Sequence, residues 1–246
     1  MKTVQFSVAS DRGLVRATNE DSYCLLPLEQ GVLAAVADGI GGQLQGEVAS
    51  GLAIRTLEEA LGQGVGATSE ERGRRLEEAV ALAQARILRA SEDQPPQSRM
   101  GTTLTAVLVW DLEAHVAHVG DSRLYRFGSA TLRQVTRDHS VVGEMIGRGE
   151  LSPDQAEHHP QRHVLSRWLG HGGDGTPDTL RLTLGAGEGL LLCSDGLSSQ
   201  LSDAEILEVL TQGGALDELA WKLVRTVNRR GGSDNTTVVL IRTDRE

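Results

Sequence analysis

Two rhythms of apolar positions run along the chain. Short alternating or continuous apolar runs, bounded by turn residues, predict strands over residues 4–9, 22–28, 32–37, 102–110, 115–119, 123–127, 179–184, 189–193 and 236–241. Most links between them are too short for a parallel crossover, so the strands are expected to pair mainly antiparallel. The second rhythm repeats every three to four residues. It predicts helices through Ala49, Leu52, Ala53, Leu57, Ala60 and Leu61, through Leu76, Val80, Ala83, Ile87 and Ala90, and through Leu216, Leu219, Ala220, Leu223 and Val227. Thr68 with Glu71 and Ser202 with Glu205 have capping-box spacing, and Ser152-Pro153 with Gln155 marks another helix start. Strands interleaved with paired amphipathic helices predict an α+β layered domain over residues 1–246. Residues 91–98 read as a polar loop. Residues 139–175, rich in histidine and glycine, read as a mobile flap with only short helical patterns.

Composition narrows the function. The net charge of −10 disfavours nucleic acid, which needs lysine and arginine against phosphate, and 3% aromatics leave little for base stacking. No apolar run is long enough to span a membrane, and the N-terminus has no secretory-type apolar stretch. Cys24 and Cys193 sit in apolar runs and read as reduced core thiols, so a cytoplasmic monomer is expected.

Several aspartates share one setting: an apolar strand, then Asp, with glycine next or nearby. They are Asp38 before Gly39, Asp121 after Gly120, and Asp195 before Gly196; around Asp234 the loop comes first and the strand after. A carboxylate at a strand end is fixed by the sheet yet open to a cleft, and glycine lets a backbone carbonyl approach as a further ligand. Oxygen-only sets suit hard cations, Mg2+ or Mn2+, and not zinc. Taken singly, each Asp-Gly is an ordinary turn. The glycines at 39, 41, 42 and 46 could suggest a nucleotide loop, but no Walker-type G-K-S/T follows.

The stretches SDRGLVRATNEDSY (10–23) and VADGIGGQLQGEVAS (36–50) resemble the opening of the protein phosphatase 2C family in its bacterial form. MGTTLTAVLV (100–109), HVGDSRLYR (118–126), DHSVV (138–142), HPQRHVLSRWLG (159–170), LLLCSDGLS (190–198) and SDNTTVVL (233–240) continue the resemblance in order over nearly the whole chain. It implies a four-layer α/β/β/α sandwich, two mainly antiparallel sheets flanked by helix pairs, with a binuclear metal centre at one end. It implies a serine/threonine protein phosphatase using two Mn2+ or Mg2+ ions and a weaker third, with attack by a metal-bridging water. By the resemblance Asp38 bridges two ions, Gly39 offers its carbonyl, and Asp195 and Asp234 complete one shell. Glu20 reaches a metal through water, Asp21 supports from behind, Asp121 with Asp195 holds the third ion, and Arg16 binds phosphate. The implied partners are phosphorylated proteins, among them a serine/threonine kinase and its substrates.

Two positions depart from the family pattern. Ile40 stands where some relatives carry a histidine assigned as acid for the leaving group, which turns attention to His163 or His159. Ser199 stands where many relatives have an acid four residues after the aspartate, which would weaken the third site. His115 and His118, three apart on a strand, face opposite ways and read as structural or surface residues. Two other readings stay open from sequence: a catalytically weak module that binds phosphoproteins, and a hydrolase of small phosphate esters.

Overall fold

The computed structural model of the chain describes residues 4–40, 45–95, 100–170 and 174–244. Gly41, Gly42, His171 and part of the 91–98 loop, singled out above, lie outside the described residues. β1 (Val4–Asp11), β2 (Asp21–Leu28) and β3 (Gly31–Ile40) lead into α1 (Gln45–Gly62) and α2 (Ser69–Ala90). β4 (Gly101–Thr102), β5 (Leu104–Trp110), β6 (Glu113–Val119), β7 (Arg123–Phe127) and β8 (Leu132–Gln134) follow. Within the 139–175 region stand α3 (Val141–Gly147), α4 (Pro153–Glu157) and β9 (Leu169–Gly170). The order then runs β10 (Asp178–Thr183), β11 (Gly189–Cys193), α5 (Asp195–Ser198), α6 (Asp203–Thr211), α7 (Leu216–Arg229) and β12 (Thr236–Thr243).

One sheet has the order β1-β12-β11-β7-β8; the other runs β10-β6-β5-β3-β4-β9, with β2 also paired to β3. All described ladders are antiparallel. The period-2 rule explains the layering. Along β3, Leu33, Ala35 and Ala37 join a core with α1 and α2, while Val32, Ala34 and Val36 join a second core between the sheets. Along β11 and β12, Leu190, Leu192, Val239 and Ile241 meet that inter-sheet core from the other side, and Leu191, Cys193, Val238 and Leu240 pack on α6 and α7. The result is the expected α/β/β/α stack. Each fully buried leucine or valine contributes about 1.5–3 kcal/mol, and a strand buried on both faces has to be apolar throughout, which is what β3 is.

Both predicted capping boxes form, at Thr68 and Ser202, and the helix start expected at Ser152 proves to be a third. Two expectations are corrected. Residues 102–110, expected as one strand, break at Thr103, whose amide and hydroxyl both turn to the backbone of Asp38. Asp38, expected just past a strand, lies inside β3, which runs on to Ile40 by pairing with Gly101.

Candidate metal centre

Asp38 is held from below by its backbone. Its N–H donates to Thr103 Oγ1 at 2.9 Å, and its carbonyl accepts from the Thr103 N–H and Thr102 Oγ1, each at 2.9 Å. Thr103 Oγ1 in turn meets Ser122 Oγ at 2.7 Å, so the loop after β6 braces the same strand. Gly39 touches the start of α1: a Cβ there would sit 2.3 Å from the Gly46 carbonyl oxygen, and one on Gly46 would come within 3.1 Å of Glu20 Cδ. Any larger residue at 39 would push the first turn of α1 away from Glu20.

Asp21 lies directly opposite Asp38 in the β2–β3 ladder. Its Oδ2 accepts from Ser194 Oγ at 2.7 Å, and Ser194 Oγ accepts the Thr237 N–H at 3.0 Å. The turn after β11, which leads into Asp195 at the start of α5, is thereby tied to the start of β12, which follows Asp234. Asp21 Oδ1 is buried and has no hydrogen-bond partner. Asp121 follows Gly120, whose φ of +111° and whose contact with Thr103 leave no room for a side chain. The Gly120 N–H donates to His139 Nδ1 at 3.1 Å, and His139 Nε2 faces Asp178 Oδ2 at 3.1 Å, itself paired with Arg167 at 2.8 Å. A polar relay thus joins the base of the 139–175 region to the Asp121 loop.

These aspartates raise one another. Asp38, Asp121 and Asp195 each keep a partly solvent-facing edge, but protein surrounds them elsewhere. Burial first, then the charges of Asp21, Asp195, Asp121 and Asp234, hold the Asp38 carboxyl well above its usual range. Burial and the charges of Asp195 and Asp234 push Asp21 up to about 7 against the hydrogen bonds that lower it. Burial and Asp195 push Asp121 up to about 8. Asp195 is raised by burial and by Asp234, and is relieved by a hydrogen bond within reach of Asp38 and by the charge of His163. Glu20 is raised by burial, with Arg16 opposing and Asp234 and Glu47 adding to the rise.

All the predicted site residues therefore come to one end of the sandwich: Asp38, Gly39, Asp121, Asp195 and Asp234, with Glu20 beside them. Among the described residues no three acidic, imidazole or thiol side chains close on one point as a ligand shell. Arg16 lies across Asp234, with Nη2–Oδ2 at 2.8 Å. Arg16, expected to bind phosphate, is paired with an expected metal ligand. The all-oxygen donor set, its mutual repulsion and the orphaned Asp21 oxygen fit a hard divalent cation.

Ile40 closes β3 against Gly101 and brings no proton donor. Ser199 caps α5, is exposed, and adds no carboxylate beside Asp195. His115 and His118 are both buried and face opposite sides of β6, His115 against Glu113 and His118 between Thr105 and the Arg137 carbonyl. Sequence reasoning missed Ser194, Thr103 and Asn235, each beside an aspartate it had singled out.

A family profile described as Protein phosphatase 2C matches residues 15–234. The serine/threonine phosphatase stp of Listeria monocytogenes is 36% identical over 237 residues, covering 96% of this chain and 94% of that protein. The crystal structure of the Mycobacterium tuberculosis serine/threonine phosphatase PstP superposes with a TM-score of 0.88 at 38% identity, covering 99% of this chain and 100% of that one. A structure of the PstP catalytic domain in complex with two manganese ions gives a TM-score of 0.86 at 36% identity, again over 99% and 100% of the two chains. Among the described residues no helix is long and apolar enough to cross a membrane. The chain belongs to the protein phosphatase 2C family of serine/threonine phosphatases.

Proposed function

We propose that this chain hydrolyses phosphoserine and phosphothreonine in proteins, with Mn2+ or Mg2+ held by its acid cluster, and opposes a serine/threonine kinase in the cytoplasm. The observation that carries the reading is the crowding of mutually repelling carboxylates around an orphaned Asp21 oxygen, beside a half-exposed guanidinium. Such a set is short of positive charge, and divalent cations supply it better than one arginine.

In this reading Asp38, the Gly39 carbonyl, Glu20, Asp195 and Asp234 hold two ions, Asp121 with Asp195 takes a weaker third, and Asp21 supports Asp38 from behind. When bound, the ions supply a nucleophile at neutral pH by lowering the pKa of water, and they offset phosphoryl charge. Arg16 exchanges Asp234 for the substrate and grips two phosphoryl oxygens, a bidentate geometry that lysine lacks. Leu14 and Val15, 67% and 70% exposed, flank Arg16 on an open rim that suits a protein substrate. The described residues 139–170 are read as a mobile flap beside the acid cluster, tied to the Asp121 loop through His139. With Ile40 proton-free, His163 or His159 is the candidate to protonate the leaving oxygen, and the charge of His163 acts on Asp195. That the relatives are serine/threonine phosphatases supports the substrate class, and the two manganese ions of the PstP complex support the metal.

The test is phosphate release from a phosphothreonine peptide with Mn2+, Mg2+ or EDTA, for wild type, Asp38→Ala and Asp195→Ala. Metal-dependent release that disappears in both variants is expected. A folded wild-type protein that releases nothing with either metal would sink the reading and leave a phosphoprotein-binding module.

A further inference from the structure

The segment from Arg12 to Glu20 carries both Arg16 and Glu20, yet it contains no helix or strand. Three of its backbone groups are held by one side chain from the far end of the sequence. Asn235 is 5% exposed. Its Oδ1 accepts the Glu20 N–H at 2.8 Å, and its Nδ2 donates to the Arg12 carbonyl at 2.9 Å and to the Thr18 carbonyl at 2.9 Å. Three of the hydrogen bonds that a carboxamide can make thus go to one loop, at points on both sides of Arg16. Only a residue with both an acceptor and a two-hydrogen donor can do this. An aspartate would turn an oxygen against two carbonyl oxygens, and an alanine would leave all three backbone groups without their partner.

The neighbouring residue completes the link. Asp234 pairs with Arg16 at 2.8 Å, and the Asn235 N–H donates to Asp234 Oδ1 at 2.8 Å. Leu14 N–H donates to the Gly232 carbonyl at 2.8 Å, which docks the tip of the same loop on the same connection. One dipeptide at the start of β12 therefore fixes the guanidinium through a charge and the loop that carries it through an amide.

We infer that Asn235 is a positioning residue: by clamping the Arg12–Glu20 backbone it sets where Arg16 meets the phosphoryl group and where Glu20 meets the acid cluster. The inference rests on the phosphatase reading above. Its consequence is that phosphate affinity depends on a buried amide that touches neither substrate nor metal.

The experiment compares Asn235→Ala and Asn235→Asp, alone and combined with Arg16→Ala, in Mn2+. The readouts are KM and kcat for a phosphothreonine peptide, inhibition by inorganic phosphate, and amide hydrogen exchange of residues 12–20. In the Arg16-containing protein, Asn235→Ala should raise KM and the phosphate inhibition constant by about 10-fold or more, since small misplacements at a reacting centre are costly, with a smaller fall in kcat. In the Arg16→Ala background the same change should add little. Exchange should quicken in residues 12–20 and stay slow in β1 and β12, and Asn235→Asp, which keeps an acceptor for Glu20, should leave the Glu20 amide the best protected of the segment. An equal penalty with and without Arg16, or unchanged KM and phosphate inhibition in an active protein, would overturn the inference. So would loss of protection spread over the whole sheet. If wild type releases no phosphate with any metal, the phosphatase reading fails, and exchange in residues 12–20 alone decides whether the clamp exists.

Discussion

The two ends of the seven-stranded sheet each gather acidic side chains, and they satisfy them differently. At the β5–β6 hairpin, Glu113 accepts from Ser69 Oγ and meets His115 Nε2 at 2.6 Å, with Arg181 3.9 Å away. The Ser69 hydrogen bond above all, helped by His115 and Arg181, holds the Glu113 carboxyl below its usual range. The cluster joins β6, β10 and the start of α2, and its charges cancel. At the opposite end Asp21, Asp38, Asp121, Asp195 and Asp234 face one another with Arg16 as the cation paired to them, and four of the five carboxyls are held high. An acid given its donors fastens elements together. Acids packed against one another with too few donors cost stability, and such crowding marks a place where something else can bind.

The sharpest way to break this contrast is to neutralise one acid at each end. Asp38→Asn should cut phosphate release by about 10³-fold, the scale of several kcal/mol of transition-state stabilisation supplied by bound metal. In EDTA the same variant should melt no lower than wild type. Relief of like-charge repulsion by about 1 kcal/mol would raise its Tm by roughly 2–4 °C. Glu113→Gln should do the reverse, keeping activity and lowering the Tm by a similar amount through lost hydrogen bonds. Assays and melts of both variants decide it. A sharp fall in the Tm of Asp38→Asn in EDTA would mean that the acid cluster is structural.

Metal should stabilise one end only. Mn2+ at about 100 times its dissociation constant adds about 2.7 kcal/mol, or roughly 5–10 °C in Tm. Glu113→Gln should retain this gain and Asp38→Asn should lose most of it. Without metal, the pH dependence carries the same signature. Asp21 at about 7 and Asp121 at about 8 lie above the unfolded carboxylate value of about 3.9. Groups raised on folding contribute stability that is fully present below the unfolded pKa and lost as pH rises through the folded one. Denaturation midpoints in EDTA should therefore fall between pH 5 and 8, and Mn2+ binding at pH 6 should release protons. Glu113, lowered on folding, acts oppositely and loses its contribution only as pH drops below the usual glutamate range. A midpoint that rises steadily from pH 5 to 8 in EDTA would contradict the crowding.

How much of this could be read beforehand follows from how far each interaction reaches along the chain. The capping boxes at Thr68, Ser152 and Ser202 are i to i+3 contacts and are visible in any window of four residues. The alternation along β3 shows the two cores directly. The aspartates were legible because each borders an apolar run and a glycine. The break at Thr103 was not, because Thr-Thr-Leu-Thr reads as uninterrupted strand unless one knows that Asp38 waits 65 residues away. β9 is two residues long and exists only through Gly101 and Thr102, so no local pattern announces it. The Arg16–Asp234 pair spans 218 residues and the Asn235 clamp 215. Sequence supplies the ingredients of such contacts, and only the folded chain says which meet.

The smallest expected effect concerns the histidines of the two ends. His115 is committed: it is buried, bonded to Glu113, and packed against Gly73 of α2. His163 is exposed, and its charge is felt by Asp195. His159 uses Nδ1 to accept the Gln161 N–H at 3.2 Å. If His163 protonates the leaving oxygen, His163→Ala should lower kcat by on the order of 10-fold, the modest end of general-acid catalysis, because water reaches the same exposed position. The decisive feature is shape. The alkaline limb of the pH–rate profile should flatten in His163→Ala, persist in His159→Ala, and persist in His115→Ala, which should instead lose stability. Unchanged profiles in both flap variants would leave the proton to come from water, and would confine the chemistry to the aspartate end and Arg16.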